Sequence, residues 1–324
     1  MFQITPVLLL FDSTIQKIMN GFRDIFYELA YMNLDNMLED LNEKVGTIST
    51  ELTTSPDTWQ GGTIWTLIEQ IAEQVALPIA GTIFTFVVLW ELISMLVAPN
   101  NLADVDFVSV LMKWLIKTVV AAWFISNALV ICNCFFGIGA SMVSKTTTVL
   151  NNQVTENTQG STLLTFLTDN YGDQDEDAES GDVSGLISLT VSTWFIDIII
   201  KVMGVLITIV LYSRMISIYL HCAVAPMPMA TVTNHQLSNI GIGYMKSVFA
   251  LAMQAVLMMI CVAIYGVLVA NVFDPTTITV DPENGVTAIK LLTKACWSTV
   301  GISVLLVYSM FKCEGITKQI FAIQ

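Results

Sequence analysis

The sequence predicts an all-α, polytopic helical membrane protein with about five transmembrane helices, a broken or re-entrant helix and an N-terminal amphipathic helical region. Of its 324 residues, 54% are hydrophobic and only 12% are charged, about half the charged share of a soluble domain. The apolar residues lie in runs long enough to cross a bilayer with a hydrocarbon core of ~30 Å. Motifs such as HExxH, GxSxG and the P-loop are absent, so we predict no enzyme, metal or cofactor.

The N-terminal region, residues 1–74, is acidic and amphipathic. Residues 11–74 hold 11 of the 27 acidic residues. Apolar side chains recur with a period near 3.6 over 15–29 and again over 34–48, which predicts helices. Our main interpretation is a helical hairpin packed on itself or on the membrane domain. The alternative is an apolar stripe that meets a partner subunit or the bilayer surface.

The first predicted span, 75–97, contains an acidic residue, Glu91. An intramembrane acid is a functional candidate by default. Glu91 lies ~9 Å from the end of the helix by helix rise, from where it can reach the interface, towards Lys113 or Lys117 at the start of the second span, 115–138. We therefore interpret Glu91 mainly as structural.

A strongly acidic loop is predicted over 144–185, where eight acids face a single lysine. Asp173, Asp175 and Asp177 mimic the opening of a calcium-binding loop, but Ala178 stands where such loops require glycine. We interpret the segment as a solvated acidic loop.

The third predicted span, 186–212, carries Asp197 and Lys201 near its middle. Their i, i+4 spacing places them on one helix face, with the acid N-terminal to the base. Two interpretations stay open: a helix-internal ion pair that lowers the cost of insertion, or a face that lines a polar passage or meets a charged neighbour. Arg214 is rotated ~220° from Lys201 and is predicted to anchor the cytoplasmic end.

Basic residues that flank apolar runs mark the cytoplasmic side. If 216–232 dips in and returns without crossing, the bases placed inside are Lys113, Lys117, Arg214, Lys246, Lys312 and Lys318. Pro226 and Pro228 each remove a backbone donor, which also disfavours a straight lipid-facing helix there. We therefore predict five spans, an outer N-terminus and a cytoplasmic C-terminus.

The predicted topology divides the chain into five parts. They are 1–74 (extracytoplasmic helical region), 75–143 (spans one and two), 144–185 (acidic extracytoplasmic loop), 186–311 (spans three to five, the last two at 247–272 and 289–311, with re-entrant segment 216–232) and 312–324 (cytoplasmic tail).

Two Gly-x-Ser triplets, Gly139–Ala140–Ser141 and Gly301–Ile302–Ser303, lack the final glycine of a serine-nucleophile motif. Small residues in apolar helices allow close packing of neighbouring helices. We interpret both triplets as packing sites.

The stretch LYSRMISIYLHCAVAPMPMA resembles the core of the TrbL-type polytopic subunits of type IV secretion systems. In that family an arginine after a long helix precedes an apolar run that ends in an Ala-Pro element. The matching positions here are Arg214, Ala225, Pro226 and Ala230. The resemblance covers roughly 75–311 and leaves the N-terminal region unaccounted for.

The resemblance implies a multi-pass subunit of a bacterial cytoplasmic (inner) membrane conjugation apparatus. Such a subunit works, as an oligomer, with ATPases and other secretion subunits, and helps to pass a DNA–protein substrate across the membrane. The family associates the central outer loop with the substrate, but a loop with this negative charge is a poor ligand for phosphate backbones. The alternative function is a secondary transporter or ion channel with a midplane site formed by Asp197, Lys201 and the broken Pro226–Pro228 element.

Overall fold

The computed structural model describes residues 5–97, 107–154, 164–165, 167–168, 183–272 and 288–321. Within these ranges every regular element is a helix, which confirms the predicted all-α class. The α-helices are α1 Thr5–Thr53, α2 Thr63–Ile71, α3 Leu77–Val97, α4 Phe107–Ser126, α5 Ala128–Val154, α6 Val183–Val224, α7 Pro226–Met229, α8 Ser238–Val272 and α9 Ala288–Ile320.

In the described part of the chain, five helical segments are long and apolar enough to cross a membrane, the number that the sequence predicts. They are Trp59–Val97, Ala128–Val149, Ser184–Val224, Ser238–Val269 and Ile289–Ile320. Large apolar side chains cover their outer surfaces: Phe86 is 64% exposed, Val130 61% and Leu220 63%. Such a surface is costly in water and matches a hydrocarbon solvent. The chain is a multi-pass membrane protein.

The second span differs in position from the predicted 115–138. Asn127 separates α4 from α5, and the candidate span begins after it, at Ala128. The Asn127 side chain donates to the Trp123 carbonyl at 2.9 Å, a local bond that competes with regular helix geometry. Backbone bonds still run from Asn127 to Trp123 and from Ile131 to Asn127, both 3.0 Å, so the interruption is confined to one residue.

The helix that contains the third predicted span, α6, extends further than predicted. The predicted span ends at residue 212 and is followed by a predicted re-entrant segment, 216–232, whereas α6 continues to Val224. Pro226 lacks an N–H and crowds the carbonyl four residues earlier, so its effect reaches back only one turn. The Ala225 N–H accordingly bonds to the Cys222 carbonyl at 3.2 Å, a tightened i−3 contact. The membrane placement of 216–232 stays a prediction.

Residues 5–53 of the N-terminal region form one continuous helix, α1, whereas a helical hairpin is predicted there. α1 covers 49 residues, because no proline occurs between Pro6 and Pro56 to stop it. The acidic loop is also shorter than 144–185, since α5 extends to Val154 and α6 begins at Val183. The calcium-like cluster Asp173–Asp177 lies outside the described residues.

The chain divides into two compact units. The first comprises residues 1–47, 148–208 and 261–309, and the second comprises residues 48–147, 209–260 and 310–324. The core of the first unit brings together the middle of α1 with parts of α6 and α9. Its fully or almost fully buried side chains include Leu34, Met37, Leu186, Leu189, Ile196, Leu292 and Cys296. Within this unit, the predicted apolar pattern over 34–48 therefore covers a core.

The core of the second unit surrounds the end of α6 and the short helix α7. Its buried members are rich in alanine and include Ala80, Ala128, Cys132, Met215, Ile218, Ala225, Met229, Ala230 and Ala252. Gly139 belongs to the same packing, because a Cβ atom added there would lie 2.7 Å from the Ala252 carbonyl oxygen. Gly139 is thus a close-packing site as the sequence predicts. Gly301 is not, since nothing lies within 4 Å of its Cβ position.

The turn between α1 and α2 belongs to the second unit and is hydrogen-bonded to side chains of two other helices of that unit. The Tyr219 hydroxyl donates to the Pro56 carbonyl at 2.8 Å, and Asn133 donates to the Asp57 carboxylate at 3.4 Å. The Ser55 side chain bonds the same carboxylate and is the main cause of the lowered pKa of Asp57. Gly61 and Gly62 have φ of 72° and 75°, a left-handed conformation in which glycine pays no steric penalty.

Candidate functional site

Asp197 and Lys201 form an ion pair within α6, in the first unit. Lys201 Nζ lies 2.8 Å from Asp197 Oδ2, with the lysine side chain 59% exposed and the aspartate 16% exposed. The other carboxylate oxygen, Oδ1, is buried without a hydrogen-bond partner. The i, i+4 contact is the one that the sequence spacing predicts.

Glu91 links three elements of the second unit. It is 5% exposed, and its Oε1 accepts a hydrogen bond from Lys117 Nζ on α4 at 3.2 Å. Of the two lysines that the sequence places within reach of Glu91, Lys113 and Lys117, it is Lys117 that forms the ion pair. The Oε2 atom accepts a bond from the backbone N–H of His235 at 3.4 Å. Glu91 therefore ties α3 and α4 to the turn that precedes α8.

The Ala-Pro element is part of the core of the second unit. Ala225 and Ala230 are 0% exposed and Met229 is 1% exposed, and Pro226 is buried within α7. Pro228 is partly buried, and its carbonyl accepts a bond from the Thr231 hydroxyl at 2.8 Å. The element packs against α3 and α4. Its role in this structure is to turn the chain inside a packed core.

Arg214 is buried, contrary to the expectation that it anchors the helix end at the surface. Its residue is only 7% exposed. Within the described residues, the Arg214 Nη1 atom donates to the Met215 sulfur at 3.9 Å, and Nε is buried without a hydrogen-bond partner. A guanidinium carries five donors, and leaving a buried charge unpaired is costly. The reason for the burial is tertiary, because α8 and α9 cover the helix face that carries Arg214.

A polar cavity of the second unit adjoins Arg214. A chamber of about 110 Å³ is lined by Arg214, Ser213, Ser217, Gln254 and Glu314 among others. A larger chamber of about 310 Å³ shares Ser217, Gln254 and Glu314 with it. The larger chamber adds His221, Ser247, Thr317 and Lys318. The two chambers adjoin each other between α6, α8 and α9.

Glu314, which lines both chambers, forms an ion pair with Lys318. Glu314 Oε1 lies 2.7 Å from Lys318 Nζ, one turn further along α9. Gln254 is 6% exposed as a whole residue. Sequence reasoning missed the cavity residues, although the i, i+4 spacing of Glu314 and Lys318 and the lone glutamine within an apolar run were visible signals. Their convergence on Arg214 depends on helix packing, which has no signal in the sequence.

A comparison with protein families identifies the chain. A family model described as TrbL/VirB6 plasmid conjugal transfer like protein matches residues 41–226, more than half of the 324 residues. The chain belongs to the TrbL/VirB6 family. No curated protein and no solved structure matches it.

The TrbL/VirB6 match includes Glu91, Asp197, Lys201, Arg214 and the Ala225–Pro226 pair. Its range differs from the predicted 75–311: it begins within α1 and ends within α7, so that α8 and α9 lie beyond it. Membership makes the chain a conjugal transfer component that belongs to a type IV secretion complex with other subunits. Members of the TrbL/VirB6 family are structural subunits and are not known as enzymes.

Proposed function

We propose that this chain is a non-enzymatic scaffold or channel subunit of the cytoplasmic (inner) membrane, which helps to pass a DNA–protein substrate outwards. The observation that carries the proposal is the family match over a chain with five apolar helical segments. The buried charges support it, because Glu91 and Arg214 are placed on helices whose surfaces suit a bilayer. Charged groups at such positions mark function or close packing in membrane proteins. Partner ATPases supply the energy in this proposal.

The test is a clean deletion of the gene in a donor strain, with the frequency of DNA transfer as the measurement. We expect transfer to fall by several orders of magnitude and to be restored by the wild-type gene in trans. During transfer, substrate DNA should crosslink to the chain if the protein lines the passage, and this contact should require the transfer ATPases. Transfer at the wild-type frequency in the deletion strain would refute the proposal.

The proposed orientation places the N-terminus outside and the C-terminus in the cytoplasm, following the distribution of basic residues. Cysteines introduced at the exposed positions Gln16 and Gln319, in a variant without the six native cysteines, test it. An impermeant thiol reagent should label position 16 in intact spheroplasts and position 319 only after lysis. Labelling of both positions from the same side would contradict an odd number of crossings.

The ion pair on α6 separates the structural function from the alternative transporter. We expect Asp197→Asn to reduce transfer more than Asp197→Asn combined with Lys201→Gln, because the single change leaves an uncompensated lysine in an apolar segment. The measurement is transfer frequency normalised to the amount of protein in the membrane. Equal defects in the single and double variants would show that each charge acts separately, as a midplane transport site requires.

A further inference from the structure

The geometry points to an anion-binding site in the polar cavity of the second unit, with Arg214 as its main ligand and a phosphate group as the anion. The first step is the state of Arg214. The residue is more than nine-tenths buried, lines the smaller chamber and has an Nε atom without a partner. A methionine sulfur at 3.9 Å is a weak acceptor. The guanidinium therefore lacks the anionic acceptor that its burial requires.

The second step is the space in front of the guanidinium. The chamber has a volume of about 110 Å³, which is enough for several water molecules. A group of the size of phosphate therefore fits in it. Ser213, Ser217 and Gln254 also line it. Arginine matches the oxygen geometry of phosphate with its planar fork of donors. The chamber thus combines a cation, neutral polar groups and volume.

The third step is the competing acid. Glu314 lines both chambers, but its Oε1 is bonded to Lys318 Nζ at 2.7 Å. The ion pair keeps part of the charge of Glu314 away from Arg214. Lys318, whose side chain is 54% exposed, also lines the larger chamber and can turn its ammonium towards an anion there. With two cations and one carboxylate, the cavity keeps a net positive charge.

The fourth step is the position of the cavity on its helices. Lys318 lies in the last turn of α9, and His221 lies in the last turn of α6, which ends at Val224. Arg214 lies ten residues before that end, ~15 Å by helix rise. Basic pockets between transmembrane helices near the membrane surface bind the head groups of anionic lipids. Phe311 lines the smaller chamber and is 54% exposed, so its ring is available to an acyl chain. A phospholipid head group and a free phosphate share the recognised chemistry, and experiment distinguishes them.

The experiment uses the full chain, purified in a neutral detergent and stripped of lipid. Its midpoint of thermal unfolding is followed during titration with phosphatidylglycerol, with phosphatidylcholine or with sodium phosphate. A ligand that binds only the folded protein raises this midpoint. We expect phosphatidylglycerol to raise it and phosphatidylcholine to leave it unchanged. A rise with sodium phosphate that equals the rise with phosphatidylglycerol would identify free phosphate as the ligand and would support the site.

Variants locate the effect. Arg214→Gln removes the unpartnered charge, so the ligand-free protein should be at least as stable as the wild type, while the apparent affinity for the anion falls roughly tenfold or more. Lys318→Gln should weaken binding several-fold, and Glu314→Gln should strengthen it. Lys246→Gln is the charge-matched control: Lys246 is exposed and does not line the cavity, so its replacement should leave the affinity unchanged.

Three results would overturn the site: no rise with either anionic ligand, an unchanged rise in Arg214→Gln and Lys318→Gln, or an equal loss in Lys246→Gln. If Arg214→Gln does not accumulate, the opposite shifts expected for Lys318→Gln and Glu314→Gln decide the question, because both positions are exposed. Unchanged affinity in both of these variants would overturn the site as well. None of these measurements depends on DNA transfer, so the site and the proposed function fail separately.

Discussion

Replacement of Gly139 by alanine will destabilise the protein by about 1–3 kcal/mol, the usual cost of overpacking a core. The new Cβ atom would lie 2.7 Å from the Ala252 carbonyl oxygen and 3.2 Å from its carbonyl carbon. Both are backbone atoms, so relief requires a shift of α5 against α8 and cannot come from a rotamer change. The measurement is the midpoint of thermal unfolding of the detergent-purified protein, together with the amount of protein in the membrane.

Gly137 on the same helix supplies a matched control. Nothing lies within 4 Å of the Cβ position of Gly137, and alanine has the higher helix propensity by roughly 1 kcal/mol. Gly137→Ala should therefore leave stability unchanged or raise it. A similar loss in both variants would show that the Gly139–Ala252 approach is not the source of the effect.

Replacement of Glu91 by alanine will cost about 2–3 kcal/mol, somewhat less than the loss of a partner in a fully buried ion pair, because water reaches Lys117. The Glu91 side chain is 7% exposed, whereas the Lys117 side chain is 49% exposed. The change removes the acceptor of both the Lys117 ammonium and the His235 N–H. Thermal unfolding and transfer frequency should both report the loss, since the turn before α8 loses a tether.

Two further variants assign the loss to its contacts. Glu91→Gln keeps an acceptor for the His235 N–H and should retain more stability than Glu91→Ala. Lys117→Met leaves the buried Glu91 carboxylate without its cation, so it should reduce stability more than Glu91→Gln does. A Glu91→Gln variant as unstable as Glu91→Ala would mean that the contact with His235 contributes nothing.

The membrane class and the local charge contacts could be predicted from the sequence because they depend on local properties. Long apolar runs need no partner to identify them, and the Asp197–Lys201 contact follows from spacing on one helix. The reach of Glu91 towards Lys117 followed from helix rise and the flanking bases. Family membership could be predicted from the arginine, the Ala-Pro element and the inferred five-span topology taken together.

The remaining features depend on packing between distant parts of the chain. Arg214 looks like an interface anchor in sequence, since its burial depends on cover from residues of α8 and α9 that lie 37 or more positions away in the chain. The predicted end of the third span, residue 212, lies before the observed end of α6 at Val224. Apolar and polar residues are mixed over this stretch without a clear stop signal, and Pro226 affects only the turn before it. Gln254 and Glu314 acquire significance only when their helices meet Arg214.

The segment 225–235, which joins α6 to α8 and contains the Ala-Pro element, is held at both ends. Ala225 and Ala230 are packed into the core of the second unit, and the backbone N–H of His235 donates to the Glu91 carboxylate on α3. A proline-containing segment that is free in space absorbs movement, whereas one fixed at both ends transmits it. A displacement of the end of α6 would therefore be passed on to the start of α8 and not dissipated in the turn.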